Sequence, residues 1–176
     1  GVTKYYEPFR SRNHTELMLQ AFGAKLVISG NSVAICGPQR LNARKVYIPG
    51  DISAAAFFMV AAALVPGSDL LLKAVGINET RSGIIDVLLR MGADLQVIGK
   101  RFWGRELVAN IRVRGGRPLK STPIGGDEIP RLIDEIPVIA VAATAAEGET
   151  VIGNAEELRV KESDRISALT SQLTRL

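Results

Sequence analysis

Apolar and polar positions follow two rhythms along this chain, and each rhythm occurs twice. The first is that of an amphipathic helix. "RNHTELMLQAFGAKLVISG" (12–30) lines up with "RSGIIDVLLRMGADLQVIG" (81–99), and in both an Arg precedes a Gly by eleven residues. Apolar residues three and four apart predict a helix, Gly23 and Gly92 mark its C′ end, and a short apolar strand closes on a second Gly.

The second rhythm is apolar on every side. "GDISAAAFFMVAAALVPGSDLLL" (50–72) resembles "IDEIPVIAVAATAAEGETVI" (133–152): an acidic residue, an alanine-rich helix, a Gly, then an apolar strand. The runs 54–65 and 136–146 are shorter than the roughly 20 residues needed to cross a bilayer, so both predict helices buried in a protein core. Asp51 and Asp134 stand where an N-cap would, able to accept from orphan N–H groups and to complement the helix dipole. Buried helix, strand, amphipathic helix and strand, with hairpin-like segments such as "LVANIRVRG" (107–115), predict an α/β (α+β) fold with helices packed on sheets.

Composition narrows the function classes. A length of 176 residues allows one ordinary domain or pieces of two, and 47% apolar with 23% charged residues suits a packed soluble protein. Cys36 is the single cysteine, so no internal disulfide forms and a reducing cytoplasm is expected. His14 is the single histidine, which argues against a His-based triad or a zinc site. The net charge of +4 favours anionic partners, while 5% aromatic residues are too few for stacking on single-stranded nucleic acid. Small phosphorylated or carboxylated ligands are expected, with no nucleic acid and no membrane. "GVTKYYEPFR" lacks the apolar run of a signal peptide.

The repeat also bears on the chain ends. Residues 1–12 match 67–81 but lack the buried helix that should precede them. The stripe Ile166, Leu169, Leu173 and Leu176 runs to the last residue without a Gly stop. The chain is therefore expected to be an internal piece of a longer protein.

Several stretches carry candidate chemistry. Asp134 lies in "GGDEIPRLIDEIPVIAVAA" (125–143); it reads either as a helix cap or as a carboxylate able to orient or deprotonate a hydroxyl. Asp127 and Glu128 read as solvated, and the carboxylate spacing matches no EF-hand loop. Gly125-Gly126 lacks the Lys-Ser/Thr of a P-loop, and "GDISAAA" and "GINETRSG" lack G-x-G-x-x-G spacing, so neither ATP nor a dinucleotide is indicated. "IRVRGGRPLK" (111–120) reads as a half-exposed strand running into a turn. "AEELRVKESDRIS" (155–167) places charges at a helix start, where Lys161 and Arg165 share a face if helical and Glu162 stands beside them. A solvated helix start and an anion site both account for it.

Four stretches carry a family resemblance: "RVKESDR" (159–165), "LIDEIPVIAVAATAAEG" (132–148), "IPGDISAAAFFMVAAALVPGS" (48–68) and "RSRNHTELML" (10–19). Through them essentially the whole chain resembles the 5-enolpyruvylshikimate-3-phosphate synthases, and "RNHTE" (12–16) resembles the bacterial type II form. The resemblance implies two domains of repeated β-α-β-α-β-β units, with residues 1–77 in the first and 78–176 in the second, both incomplete. It implies transfer of the enolpyruvyl group of phosphoenolpyruvate to the 5-hydroxyl of shikimate 3-phosphate in a monomeric cytoplasmic enzyme, with no metal or organic cofactor. By matching motif, Glu162 resembles the proton donor to the methylene carbon, and Lys161 a shikimate 3-phosphate ligand beside the reacting centre. Arg165 resembles the phosphoenolpyruvate clamp and Arg12 an arginine reaching shikimate 3-phosphate. Asp134 resembles the residue on the shikimate hydroxyls, a candidate base, while Arg159 and Asp164 only brace the turn.

Further anion-binding residues of the family lie outside these 176 positions, so the chain alone is expected to be inactive. The rival is the UDP-N-acetylglucosamine enolpyruvyl transferase, whose reactive-loop cysteine does not match Cys36 in "SVAICGP" (32–38). A non-catalytic anion-binding fragment is the alternative outside enzymes. Lys161 and Arg165 are expected to lower the pKa of Glu162, against the needs of a proton donor.

Overall fold

The computed structural model describes residues 1–175; Leu176, the last member of the predicted C-terminal stripe, lies outside the described residues. The repeat is visible first in how the amphipathic helices end. Helix α1 (His14–Ala21) stops where the Gly23 N–H bonds the Gln20 carbonyl and the Ala24 N–H the Leu19 carbonyl. Helix α3 (Gly83–Arg90) ends in the same way, on Leu89 and Leu88. Both stops require a left-handed residue, and Gly23 (φ 95°) and Gly92 (φ 89°) provide it without a Cβ penalty.

Each helix then turns into a sheet. Strands β1 (Val2–Tyr6), β2 (Leu26–Ser29) and β3 (Ser32–Cys36) form an antiparallel sheet in the order β1-β3-β2. Strands β4 (Asp69–Gly76), β5 (Asp94–Trp103) and β6 (Glu106–Arg114) form a second, ordered β4-β6-β5, and two-residue strands β7 (Leu119–Lys120) and β8 (Ala146–Glu147) pair in parallel. The alternation in "IRVRGGRPLK" holds: Ile111 and Val113 are fully buried, while Arg112 and Arg114 turn to Asp69 of the neighbouring strand. The strand expected near Val151–Ile152 shrinks to a single bridge, Ile124 to Ile152.

The alanine-rich runs form α2 (Ile52–Leu64) and α4 (Ile136–Thr144), which pack against each other, with α2 also lying on β4 and β6. Their Ala side chains let helix and sheet approach closely, and Met59, Ile139, Ile84 and Leu88 fill the fully buried centre. The expectation of a wholly buried α2 is corrected. Only one face meets the sheet, and on the other Phe57 and Phe58 stay about 60% exposed. Helix α5 (Arg165–Leu173) keeps its predicted stripe, but Ile166, Leu169 and Leu173 are only half-buried.

Apolar burial is concentrated after residue 50: among the described residues Ala24 is the one buried apolar side chain before Ile52. Helix α2, placed with the first unit by a boundary at residue 77, packs in the core of the second sheet. The chain crosses between the two regions at Gly50, which bonds β4 through Gly50 N–H to the Ala74 carbonyl (2.8 Å) and Gly76 N–H to the Gly50 carbonyl (2.9 Å). A bulge between Leu72 and Val75 makes room for it, with Ala74 at φ 54° and its N–H held by Asn110 Oδ1 at 2.9 Å.

A polar junction fixes the start of α1 near the link from β4 to α3. Buried Asn78 donates to Asn13 Oδ1 (2.8 Å) and Glu106 Oε2 (3.1 Å), while its own Oδ1 accepts from the Thr80 N–H (2.9 Å) and hydroxyl (2.7 Å). Glu106 Oε1 also meets His14 Nδ1 at 2.6 Å. Asn13 and Thr80 of this junction are the chain neighbours of Arg12 and Arg81.

Candidate active site

Three arginines at the starts of three helices converge on one turn. Arg12 lies two residues before α1, Arg81 two residues before α3, and Arg165 opens α5. The turn is Ile133–Glu135, between a 3-10 segment (Gly126–Arg131) and α4. Arg12 Nη2 pairs with Asp134 Oδ2, and Arg165 Nη1 reaches Asp134 Oδ1 at 3.4 Å. The second Arg165 nitrogen holds Glu162 Oε2 at 2.6 Å. Lys161 is partly enclosed; its Nζ pairs with Glu157 Oε1 at 2.6 Å, and its charge still acts on Asp134. All five predicted site residues, separated by up to 153 positions (165 minus 12), thus meet in one cluster.

Two local expectations are corrected. Asp134 does not cap α4. The N-cap is Glu135, which makes no side-chain cap bond, and Asp134 turns instead to two guanidinium groups. Pro137 in the first turn removes an orphan N–H, so α4 has less need of a capping acceptor than α2. In α2 the expectation holds: Asp51 accepts from Ser53 N–H (3.1 Å) and Ala54 N–H (3.2 Å). Lys161 and Arg165 do not share a helical face either, because the helix begins only at Arg165.

The residues between have a plain structural task. Asp164 caps α5 by accepting from the Ser167 N–H (3.0 Å) and hydroxyl (2.7 Å), and Arg159 braces it at 3.3 Å. Asp164→Ala is expected to lower the urea midpoint, with faster amide exchange confined to the first turn of α5. Glu128, expected in solvent, instead accepts from the Gly125 N–H at 3.1 Å and pairs with Arg90 at 2.8 Å.

The charges set the protonation states. Partial burial pushes Asp134 up, but the Arg12 bond and the charges of Arg12, Lys161 and Arg81 outweigh it and hold the carboxyl below the usual aspartate range. Glu162 is also held low, first by its own backbone N–H and then by the Arg165 guanidinium. The anticipated conflict with proton donation is therefore present in the folded chain. Glu135 differs: burial pushes it up, and neither the Ser53 hydroxyl nor the Arg81 charge fully compensates.

Glu135, Ser53 and Arg81 were not singled out from the sequence. The signal was present, because the repeat aligns Arg81 with Arg12 and Asp51 with Asp134. A cavity of about 740 Å³ lined by Phe9, Arg10, Glu79, Asp127 and Arg131 includes none of the five predicted residues. Among the described residues no group of three His, Cys, Asp or Glu side chains is placed to hold a metal.

Known proteins match the sequence and the fold of this chain. The family model described as EPSP synthase (3-phosphoshikimate 1-carboxyvinyltransferase) covers residues 3–176. The chain belongs to the EPSP synthase family. A relative named 3-phosphoshikimate 1-carboxyvinyltransferase from Gloeobacter violaceus is 54% identical over all 176 residues, which make up 40% of that protein. The solved EPSP synthase from Acinetobacter baumannii superposes with a TM-score of 0.91 at 47% identity, covering 97% of this chain and 38% of that one. The enolpyruvyl transferase NikO from Streptomyces tendae, at 20% identity and a TM-score of 0.63, shares the fold. The α/β enolpyruvyl-transferase fold expected from the resemblance is thus established, and the chain spans about 40% of the length of its EPSP synthase relatives.

Proposed function

We propose that the chain is part of a carboxyvinyl transferase that moves the enolpyruvyl group of phosphoenolpyruvate to the 5-hydroxyl of shikimate 3-phosphate, with release of phosphate. The observation that carries this reading is the convergence of Arg12, Arg81, Lys161 and Arg165 around Asp134 in a member of the EPSP synthase family. Two polyanionic substrates need several fixed cations, and addition to an enol needs a group on the attacking hydroxyl plus a proton for the methylene carbon. Arg12 and Lys161 hold shikimate 3-phosphate, and Arg165 clamps phosphoenolpyruvate bidentately. Asp134 orients the attacking hydroxyl and takes its proton as the new C–O bond forms, a proton that passes to the departing phosphate. Glu162 delivers a proton to the methylene carbon and takes it back as the C–O bond to phosphate breaks.

In this reading the enzyme works as a cytoplasmic monomer without a metal or organic cofactor. No described helix is long and apolar enough to cross a membrane. Two incomplete units are retained as the domain proposal, with the boundary expected between residues 77 and 78 moved to the crossing at Gly50, because α2 packs on β4 and β6.

Phosphate release by the full-length protein, assayed with phosphoenolpyruvate and each of two acceptors, tests the reading. Release with shikimate 3-phosphate and none with UDP-N-acetylglucosamine is the expected result, and the reverse overturns it. Calorimetry on the 176-residue chain is expected to show weak or no shikimate 3-phosphate binding and no turnover. Arg12 and Arg165 are already satisfied by Asp134 and Glu162, and an anion must displace those contacts.

A further inference from the structure

Asp134 is surrounded by arginines, yet the adjacent backbone is held by a second, buried set of groups. Glu135 is 2% exposed, and one of its oxygens accepts from the Ser53 hydroxyl at the start of α2. Ser53 Oγ in turn accepts from Arg81 Nη2 at 2.5 Å. Arg81 is itself enclosed, and its guanidinium stands 3.7 Å from Asp51 and 4.0 Å from Glu135. The chain Arg81–Ser53–Glu135 therefore joins the link before α3, the first turn of α2 and the N-cap of α4. The repeat gives it a counterpart, since Arg12 pairs with Asp134 as Arg81 stands against Asp51.

We propose that Arg81, Ser53 and Glu135 form a positioning lock that fixes the rotation of the Ile133–Glu135 turn and thereby aims the Asp134 carboxylate at the site. Glu135 is too buried to touch a substrate, and Arg81 is spoken for by three oxygen-bearing side chains, so neither is a catalytic residue. Their effect reaches Asp134 by geometry, through the adjacent peptide, and by charge. Asp134 is faced by Arg12 from the segment before α1, by Arg165 from α5, by Lys161 from the segment before it and by Arg81 from the link before α3; Glu135 flanks it in the chain. Removing the Arg81 charge leaves three cations around Asp134 and takes from buried Glu135 one of the charges that offset its burial, with the Ser53 hydroxyl and the Arg12 charge remaining.

The test has two readouts, and only the second rests on the transferase reading. In the full-length protein, the Asp134 carboxyl carbon is followed by NMR against pH, with Asp134→Asn assigning the signal. Arg81→Gln and Ser53→Ala should both move its titration midpoint upward, Arg81→Lys much less, with amide spectra reporting an intact fold. In the full-length enzyme, Arg81→Gln and Ser53→Ala should lower kcat by about 10- to 100-fold with little change in KM, and Arg81→Lys should recover most of it. If Arg81→Gln unfolds the chain, the smaller change Ser53→Ala decides. An unmoved Asp134 titration in a folded variant overturns the lock. A moved titration in an enzyme that never uses shikimate 3-phosphate leaves the lock standing and overturns the proposed reaction instead.

Discussion

Glu162→Gln in the full-length enzyme is expected to lower kcat by about 10²- to 10⁴-fold while shikimate 3-phosphate binds as before. The substitution keeps the shape of the side chain and its carbonyl can still accept from Arg165, but the amide has no proton to deliver and take back. The protonation state sharpens the expectation. In the folded chain Glu162 is mostly exposed and is held below the usual glutamate range by its own backbone N–H and by Arg165, so it is ionised at neutral pH. A donor must be protonated, and the agents able to protonate it are the substrates. Phosphoenolpyruvate bound on Arg165 withdraws that guanidinium and brings negative charge beside the carboxyl, and both effects raise its pKa. The limb of kcat against pH assigned to Glu162 should therefore lie higher than the same limb of kcat/KM, which reports the free enzyme. Near-normal kcat in the Gln variant, or coincident limbs in the wild type, would overturn the donor role.

The parts of this fold that follow from local rules were legible. Gly23 and Gly92 end helices because a left-handed residue is needed there, and Asp51 caps α2 because α2 has unsatisfied N–H groups at its start. What was not legible depended on which groups meet across distance. Asp134 occupies the same place in the repeat as Asp51, yet it leaves the helix it precedes because two guanidinium groups arrive from residues 12 and 165. Phe57 and Phe58 lie in an apolar run like any core segment, and only the packing of α2 on β4 and β6 shows which face is covered. Asp134, Lys161, Glu162 and Arg165 stood out by their charge pattern and Arg12 only through the family resemblance, whereas Arg81 was marked by the repeat alone. A repeat is usually read as a device for building a fold. Here it also delivers equivalent arginines, at the starts of successive amphipathic helices, to one patch of charge.

Asp134→Asn is the change expected to touch both chemistry and fold. Chemically it removes the group proposed to orient the attacking hydroxyl, a loss of about 10²- to 10⁴-fold in kcat. It also leaves Arg12, Lys161, Arg81 and Arg165 without their central counter-charge, so anion affinity should rise even as turnover falls. Such a split between binding and kcat would separate it from a variant that merely misfolds. For the fold, the Arg12 pair ties the segment before α1 to the turn before α4. The sign of the pH effect follows from the lowered pKa. A carboxyl held below the ordinary aspartate value of about 3.9 stabilises the folded state above that pH, and this contribution disappears as pH falls through the lowered value. Wild type should therefore lose more stability than Asp134→Asn between pH 7 and the acid range, and their urea midpoints should approach each other at the acid end. Parallel curves would show that the Arg12–Asp134 contact contributes nothing to folding. Equal anion affinity in the two proteins would show that Asp134 does not balance the surrounding cations.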